Sequence, residues 1–242
     1  MADGPVVGAA RTPLVLVPGL LCDERLWRHQ ADHLADPVDP LIADVTWGTS
    51  VSEMARAVLE AAPEERFALA GLSMGGYVAL EIMRVAPERV ERLALLDTSA
   101  RADTPEQTEE RLELIGLARE GRFWEVPRRL LPKIVHLDRL DDERLTSTVF
   151  AMAEAVGPEA FVRQEEAIIG RSDSRGDLPG IACPTLVLCG CEDVLMPVEV
   201  HEEMASLIPD SRLRVVEECG HLSTLERPEE VTAAMRGWLG TA

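Results

Sequence analysis

The sequence predicts an α/β protein built on a mainly parallel sheet flanked by helices. Three observations carry that expectation. Short runs rich in leucine and valine alternate with longer amphipathic segments, which is the pattern of strands joined by crossover helices. Three of these runs stop at a glycine or a proline, at Pro18-Gly19, Gly71 and Gly190, residues that end a strand. The 242 residues suffice for one large domain with its own core.

The elements follow in order. Leu14-Val15-Leu16-Val17 is a continuous apolar run stopped by Pro18-Gly19, and so reads as a strand buried on both faces. Residues 40–43 read as a second strand. Ser50-Val51-Ser52-Glu53 has the form of a capping box, with Val51, Met54, Ala55, Val58 and Leu59 at helical spacing behind it. Phe67-Ala68-Leu69-Ala70 is the next strand, a helix is predicted over residues 74–85, and Leu93-Ala94-Leu95-Leu96 is another buried strand. Residues 104–175 carry no convincing strand run. They are charged, helical in pattern and punctuated by Pro105, Pro127, Pro132 and Pro158. They are expected to form a helical insertion in a core of residues 1–103 and 176–242. The sheet resumes at Thr185-Leu186-Val187-Leu188-Cys189, followed by a helix from near Pro197 to near Ile208. Leu213-Arg214-Val215-Val216 is the last strand, and a closing helix starts near Pro228.

Charge and cysteine usage narrow the partners. A formal net charge of −19 repels nucleic acid and anionic membrane, so neither is expected as a partner. No apolar run reaches membrane-spanning length, and residues 1–10 lack the features of a signal peptide. Five cysteines, an odd count, point to reduced thiols in the cytoplasm. Cys189-Gly190-Cys191 lacks the spacing and the second pair that a zinc site needs, so buried structural thiols are expected. A monomer or homodimer is expected.

The chemistry is carried by Gly71-Leu72-Ser73-Met74-Gly75, a G-x-S-x-G run that falls between a predicted strand and a predicted helix. Only small flanking residues let a strand turn so sharply into a helix, and the turn lifts the Ser73 hydroxyl above the sheet. A hydroxyl is a poor nucleophile until a base takes its proton. His221, in the loop after the last strand, is the expected base. His29 and His33, four residues apart on an early helix, are expected on a solvated face; His201 lies in an acidic helix and His136 in the insertion. The base needs an orienting carboxylate. Asp193 in Gly190-Cys191-Glu192-Asp193 is the first choice. Asp97, at the end of an earlier strand, is its rival, and Glu192 is expected to face solvent. The oxyanion formed on attack needs preorganised donors, expected from the backbone N–H groups of Met74 and Leu20.

Together, Leu16-Val17-Pro18-Gly19-Leu20-Leu21, Gly71-Leu72-Ser73-Met74-Gly75-Gly76, Gly190-Cys191-Glu192-Asp193 and Gly220-His221 resemble the α/β-hydrolase superfamily over nearly the whole chain. The resemblance implies that the insertion is a helical lid. It also implies a small carboxylesterase, or an acyl-thioester or methyl-ester hydrolase, that needs no metal or organic cofactor. Many relatives carry His-Gly where this chain has Pro18-Gly19, and the short N-terminus leaves room for about six strands, with one or two more only if the N-terminal tail pairs with the sheet.

The activity expected is acyl transfer from a small-molecule ester or thioester to water through Ser73. Two rivals stay open: a lyase or C–C bond hydrolase on the same scaffold, and a slowly turning receptor that keeps the three residues. Phe123, Trp124, Leu130, Ile134, Phe150, Met152 and Phe161 are candidates for an apolar pocket wall, with packing of the insertion onto the core as the competing role. Arg128, Arg129 and Lys133 form a basic cluster that either attracts an anionic substrate or balances nearby acids. Cys22 is expected to be a bystander thiol.

Overall fold

The computed structural model describes residues 11–36, 38–63 and 66–240. A strand suggested for the N-terminal tail, and the reading of residues 1–10, lie outside the described residues. Six strands form one sheet: β1 (Thr12–Val17), β2 (Val38–Ile42), β3 (Phe67–Leu72), β4 (Val90–Leu96), β5 (Thr185–Gly190) and β6 (Ser211–Val216). Their spatial order is β2-β1-β3-β4-β5-β6, and every pairing is parallel. The chain runs from β1 outward to β2, then returns to place β3 on the other side of β1. That reversal opens a crevice at the carboxyl ends of β1 and β3, the usual ligand position in such sheets.

Helices cover both faces because both faces are apolar. Alternate residues of each strand point to opposite sides. Val15, Val17, Phe67, Leu69, Leu93 and Leu95 pack with α2 (Val51–Ala61), α3 (Met74–Val85) and α7 (Val198–Leu207). Leu14, Leu16, Ala68, Ala70, Leu186 and Leu188 pack with α1 (Arg28–Leu34) and α9 (Pro228–Leu239) on the other side. The box expected at Ser50 is half realised: Ser50 Oγ accepts from Glu53 N at 3.2 Å, but the Glu53 carboxylate reaches back to Thr49 N instead.

Between β4 and β5 the chain forms three helices, α4 (Pro105–Arg119), α5 (Glu125–Ile134) and α6 (Glu143–Ile169). A full capping box starts α4, with Thr104 and Gln107 satisfying each other's backbone N–H. Gly157 breaks α6 with φ +76° and ψ 169°, and Pro158 restarts it at the first position of the second half. After β6, the short α8 (Ser223–Glu226) leads into α9. No described helix is long and apolar enough to cross a membrane.

Candidate active site

The turn after β3 has the strained geometry that its sequence requires. Ser73 has φ 55° and ψ −117°, outside the regions a serine ordinarily occupies. The surroundings fix it there. Ser73 N donates to Leu96 O at 3.0 Å, and Ser73 O accepts from Gly76 N (2.9 Å) and from the Thr98 hydroxyl (2.7 Å). A Cβ at Gly75 would fall 2.1 Å from Val17 O, so no larger residue lets β1 and α3 approach this closely.

Ser73, His221 and Asp193 lie in one hydrogen-bonded line. Asp193 Oδ2 lies 2.7 Å from His221 Nδ1, and His221 Nε2 lies 2.9 Å from Ser73 Oγ. A carboxylate can only accept, so His221 Nδ1 carries the proton and Nε2 is left to accept from the serine hydroxyl. The other Asp193 oxygen accepts from Leu195 N and Met196 N at 2.9 and 3.0 Å, which fixes the carboxylate from behind. Burial pushes the His221 pKa down, but the Asp193 charge and hydrogen bond, helped by Asp97 and Glu226, outweigh it and hold it above the ordinary value.

Asp97 does not hydrogen-bond the histidine. Its Oδ1 accepts from Gly190 N, and its Oδ2 accepts from the Ser223 hydroxyl at 2.5 Å, so it ties β4 to β5 and to the start of α8. Burial, then the neighbouring Asp193 charge, hold its pKa well above the carboxylate range. Glu192 is exposed, and its carboxylate accepts from Cys219 N at 2.9 Å.

The loop after β1 sits against the serine: a Cβ at Gly19 would lie 3.3 Å from Ser73 Cβ. Within this loop and elbow, Leu21 N, Cys22 N and Ser73 N all have acceptors. Leu20 N and Met74 N have none among the described residues. Cys22 donates to Leu20 O at 3.3 Å, and burial pushes its thiol up to about 12, so it stays protonated.

A cavity of about 610 Å³ opens over Ser73 and His221, bounded by the β1 loop, α3 and the insertion. Of the proposed apolar wall, Leu130, Ile134 and Met152 line it. Phe161 is instead fully buried, with its ring centroid 5.7 Å from that of Phe123, and Trp124 is exposed. The basic cluster is largely partnered. Arg128 lies over the Trp124 and Phe150 rings, Arg129 faces Glu125 at 3.7 Å, and Lys133 pairs with Glu110 at 3.0 Å.

The sequence profile of the Alpha/beta hydrolase family matches residues 14–234. This chain belongs to the α/β-hydrolase family. It is similar to a thermophilic esterase from Thermogutta terrifontis solved with malate bound, at 30% identity and a TM-score of 0.86, over 95% of this chain and 89% of that one. It is also similar to the pimeloyl-[acyl-carrier protein] methyl ester esterase of Aromatoleum aromaticum, at 29% identity over 76% of this chain and 77% of that protein. The 2-hydroxy-6-oxononadienedioate/2-hydroxy-6-oxononatrienedioate hydrolase of Paraburkholderia xenovorans is 26% identical over 79% of this chain and 68% of its own length.

Within this α/β-hydrolase the remaining histidines have structural contacts. The His29 and His33 rings stack at 4.0 Å, with His29 Nδ1 at 3.0 Å from Thr232 Oγ1 and His33 Nδ1 donating to His29 O. His136 Nδ1 accepts from Asp138 N. His201, although its helix is acidic, is fully buried: Nε2 accepts from Thr98 N at 3.0 Å and Nδ1 lies 3.2 Å from Pro197 O. Burial lowers its pKa to about 4, so it stays neutral and holds the residue that braces Ser73. Of the thiols expected to be buried, Cys191 is exposed, because it lies past the end of β5. With Glu192 and Glu217 it forms an exposed group whose donor atoms lie within 4.8 Å of one another.

Three supporting residues escape sequence reading. Thr98 is one. Gln164 of α6 is fully buried, with Oε1 accepting from Leu21 N at 3.1 Å and Nε2 donating to Val45 O at 3.4 Å. Glu226 accepts from Gly220 N and His136 N, joining the histidine loop to the end of the α5 segment. None stands in a motif; only an apolar helical face interrupted by a glutamine could have drawn attention to Gln164.

Proposed function

We propose that this α/β-hydrolase cleaves a small-molecule ester or thioester through an acyl-enzyme on Ser73. The observation that carries the reading is the unbroken line from Asp193 through His221 to Ser73, at 2.7 and 2.9 Å, at the foot of the cavity. His221 Nε2 takes the Ser73 proton as the serine oxygen attacks the carbonyl carbon. The Leu20 and Met74 N–H groups receive the developing oxyanion. The C–O or C–S bond then breaks, and the leaving alcohol or thiol departs with the proton from His221. A water repeats the sequence, releasing the carboxylic acid and restoring the serine.

Similarity to two esterases supports an ester over other acyl donors, and the cavity has the size of a small-molecule site. The experiment is hydrolysis of p-nitrophenyl esters of increasing chain length, alongside mass spectrometry after a fluorophosphonate. Steady turnover, with one adduct on Ser73 that is absent in Ser73→Ala, is the expected result. A folded protein that takes the label but cleaves no ester would favour the C–C bond reading. One burst without a steady rate would favour the receptor reading.

A further inference from the structure

One wall of the cavity carries a charged group that the acyl-transfer chemistry does not use. Arg111 of α4 lines the cavity and is partly exposed there. It donates through Nε to Asp103 at 2.7 Å and through Nη1 to Glu165 at 2.8 Å. Its third nitrogen, Nη2, has no acceptor among the described residues. Glu165 belongs to the same wall and is fully buried, and its Oε1 has no hydrogen-bond partner.

Tyr77, the only tyrosine in the sequence, completes the group. It lies four residues beyond Ser73, on the first turn of α3. It lines the cavity, and its hydroxyl has no partner among the described residues. Arg171 closes the cluster from behind, with its guanidinium 4.2 Å from the Tyr77 ring centroid and 2.6 Å from Asp103.

The pairing shows what this arrangement lacks. Two guanidiniums face two carboxylates. Burial raises the Glu165 pKa from its ordinary value, against the lowering influence of Arg111. What stays unmatched is hydrogen-bonding capacity on the cavity side: Arg111 Nη2, the Tyr77 hydroxyl and Glu165 Oε1 have no partner among the described residues. Polar groups left unpaired in such a cluster are costly unless a ligand completes them. Both open donors, the guanidinium N–H and the tyrosine O–H, suit an oxygen anion.

We propose that Arg111 and Tyr77 form a subsite for a carboxylate carried by the substrate, so that the preferred esters bear a free carboxyl group as well as the scissile bond. The proposal rests on the acyl-enzyme reading above, and names a substrate class for it. The carboxylate can come from either side of the ester. Monoethyl esters of four- to seven-carbon dicarboxylic acids carry it on the acyl side, and O-acetyl hydroxy acids carry it on the alcohol side.

The experiment measures kcat/KM for each carboxylate ester and for its neutral isostere, the ethyl alkanoate or alkyl acetate of equal length. The quantity read is their ratio, which does not depend on the fraction of folded enzyme. In at least one arm the wild-type ratio is expected to exceed about tenfold, and to fall toward one in Arg111→Gln/Glu165→Gln, which removes both charges of the pair together. Tyr77→Phe is expected to lower it about threefold, the loss of one hydrogen bond. A ratio near one in both arms, or one that the double variant leaves intact, overturns the subsite while Ser73-dependent hydrolysis stands. No Ser73-dependent hydrolysis of any ester overturns the acyl-enzyme reading instead.

Discussion

The side-chain oxygen of Gln164 accepts the backbone N–H of Leu21 at 3.1 Å, across 143 residues of sequence. One partner stands on the insertion and the other in the loop that holds the Leu20 N–H beside Ser73. Leu21 has φ 58°, so the loop is held in a conformation that it would not choose alone. Gln164→Leu leaves the Leu21 donor buried and unpaired. It is expected to lower stability by about 1–3 kcal/mol, and to lower kcat about tenfold with a smaller change in KM. Urea melts and steady-state kinetics on one ester check both, and recovery of kcat in Gln164→Glu would assign the loss to the missing acceptor.

The two buried aspartates separate on mutation. Asp193→Asn keeps the shape but not the acceptor pattern that sets the His221 tautomer, and is expected to cost about a thousandfold or more in kcat. Asp97→Asn replaces a group whose pKa already lies well above the carboxylate range, and so is expected to cost far less. Kinetics of the two variants under one set of conditions decide which carboxylate serves the histidine.

His221 must be neutral to accept the serine proton. Its pKa lies above 6.5 in the folded protein, so kcat/KM is expected to rise with pH through a midpoint above that value. The same shift stabilises the fold fully below pH 6.5, and the gain is lost as pH rises through the folded pKa. In Asp193→Asn the residual activity should show its midpoint at lower pH, because the dominant raising influence is gone. A pH profile of kcat/KM reads both midpoints.

His201 has the opposite sign. Its pKa of about 4 lies below the unfolded value, so the unfolded chain binds a proton that the native state does not between those limits. Stability is expected to fall as pH drops from about 6.5 to about 4, by about 3 kcal/mol in total. His201→Gln, which can keep an acceptor for Thr98 N, should flatten that slope in chemical melts across this range.

The parallel strands and the elbow were legible because each rests on a short local pattern. Leu14-Val15-Leu16-Val17 can only be a buried run, and Gly71, Gly75 and Gly76 sit where a side chain would strike backbone or Thr98 atoms. His221 and Asp193 followed from their loops at strand ends. What stayed hidden was set by tertiary contact. The burial of His201 could not be inferred from the acidic residues around it, because a helix on a sheet always has one face turned inward. Phe161 gave no sign of whether it faced ligand or its own insertion. The polar cluster around Arg111 joins α3, α4 and α6 with Asp103 and Arg171, segments that no motif connects.

Gln164 and Glu165 are neighbours on the half of α6 that follows the break at Gly157, one holding the β1 loop and the other paired with Arg111. Under the proposed mechanism and subsite, a single helical segment bears on both the speed of bond cleavage and the choice of molecule cleaved. Grafting this insertion onto another hydrolase core would transplant part of the reaction machinery along with the specificity. A chimera that moves residues 104–175 without the matching loop at residues 18–22 should inherit a selective pocket above a slackened centre.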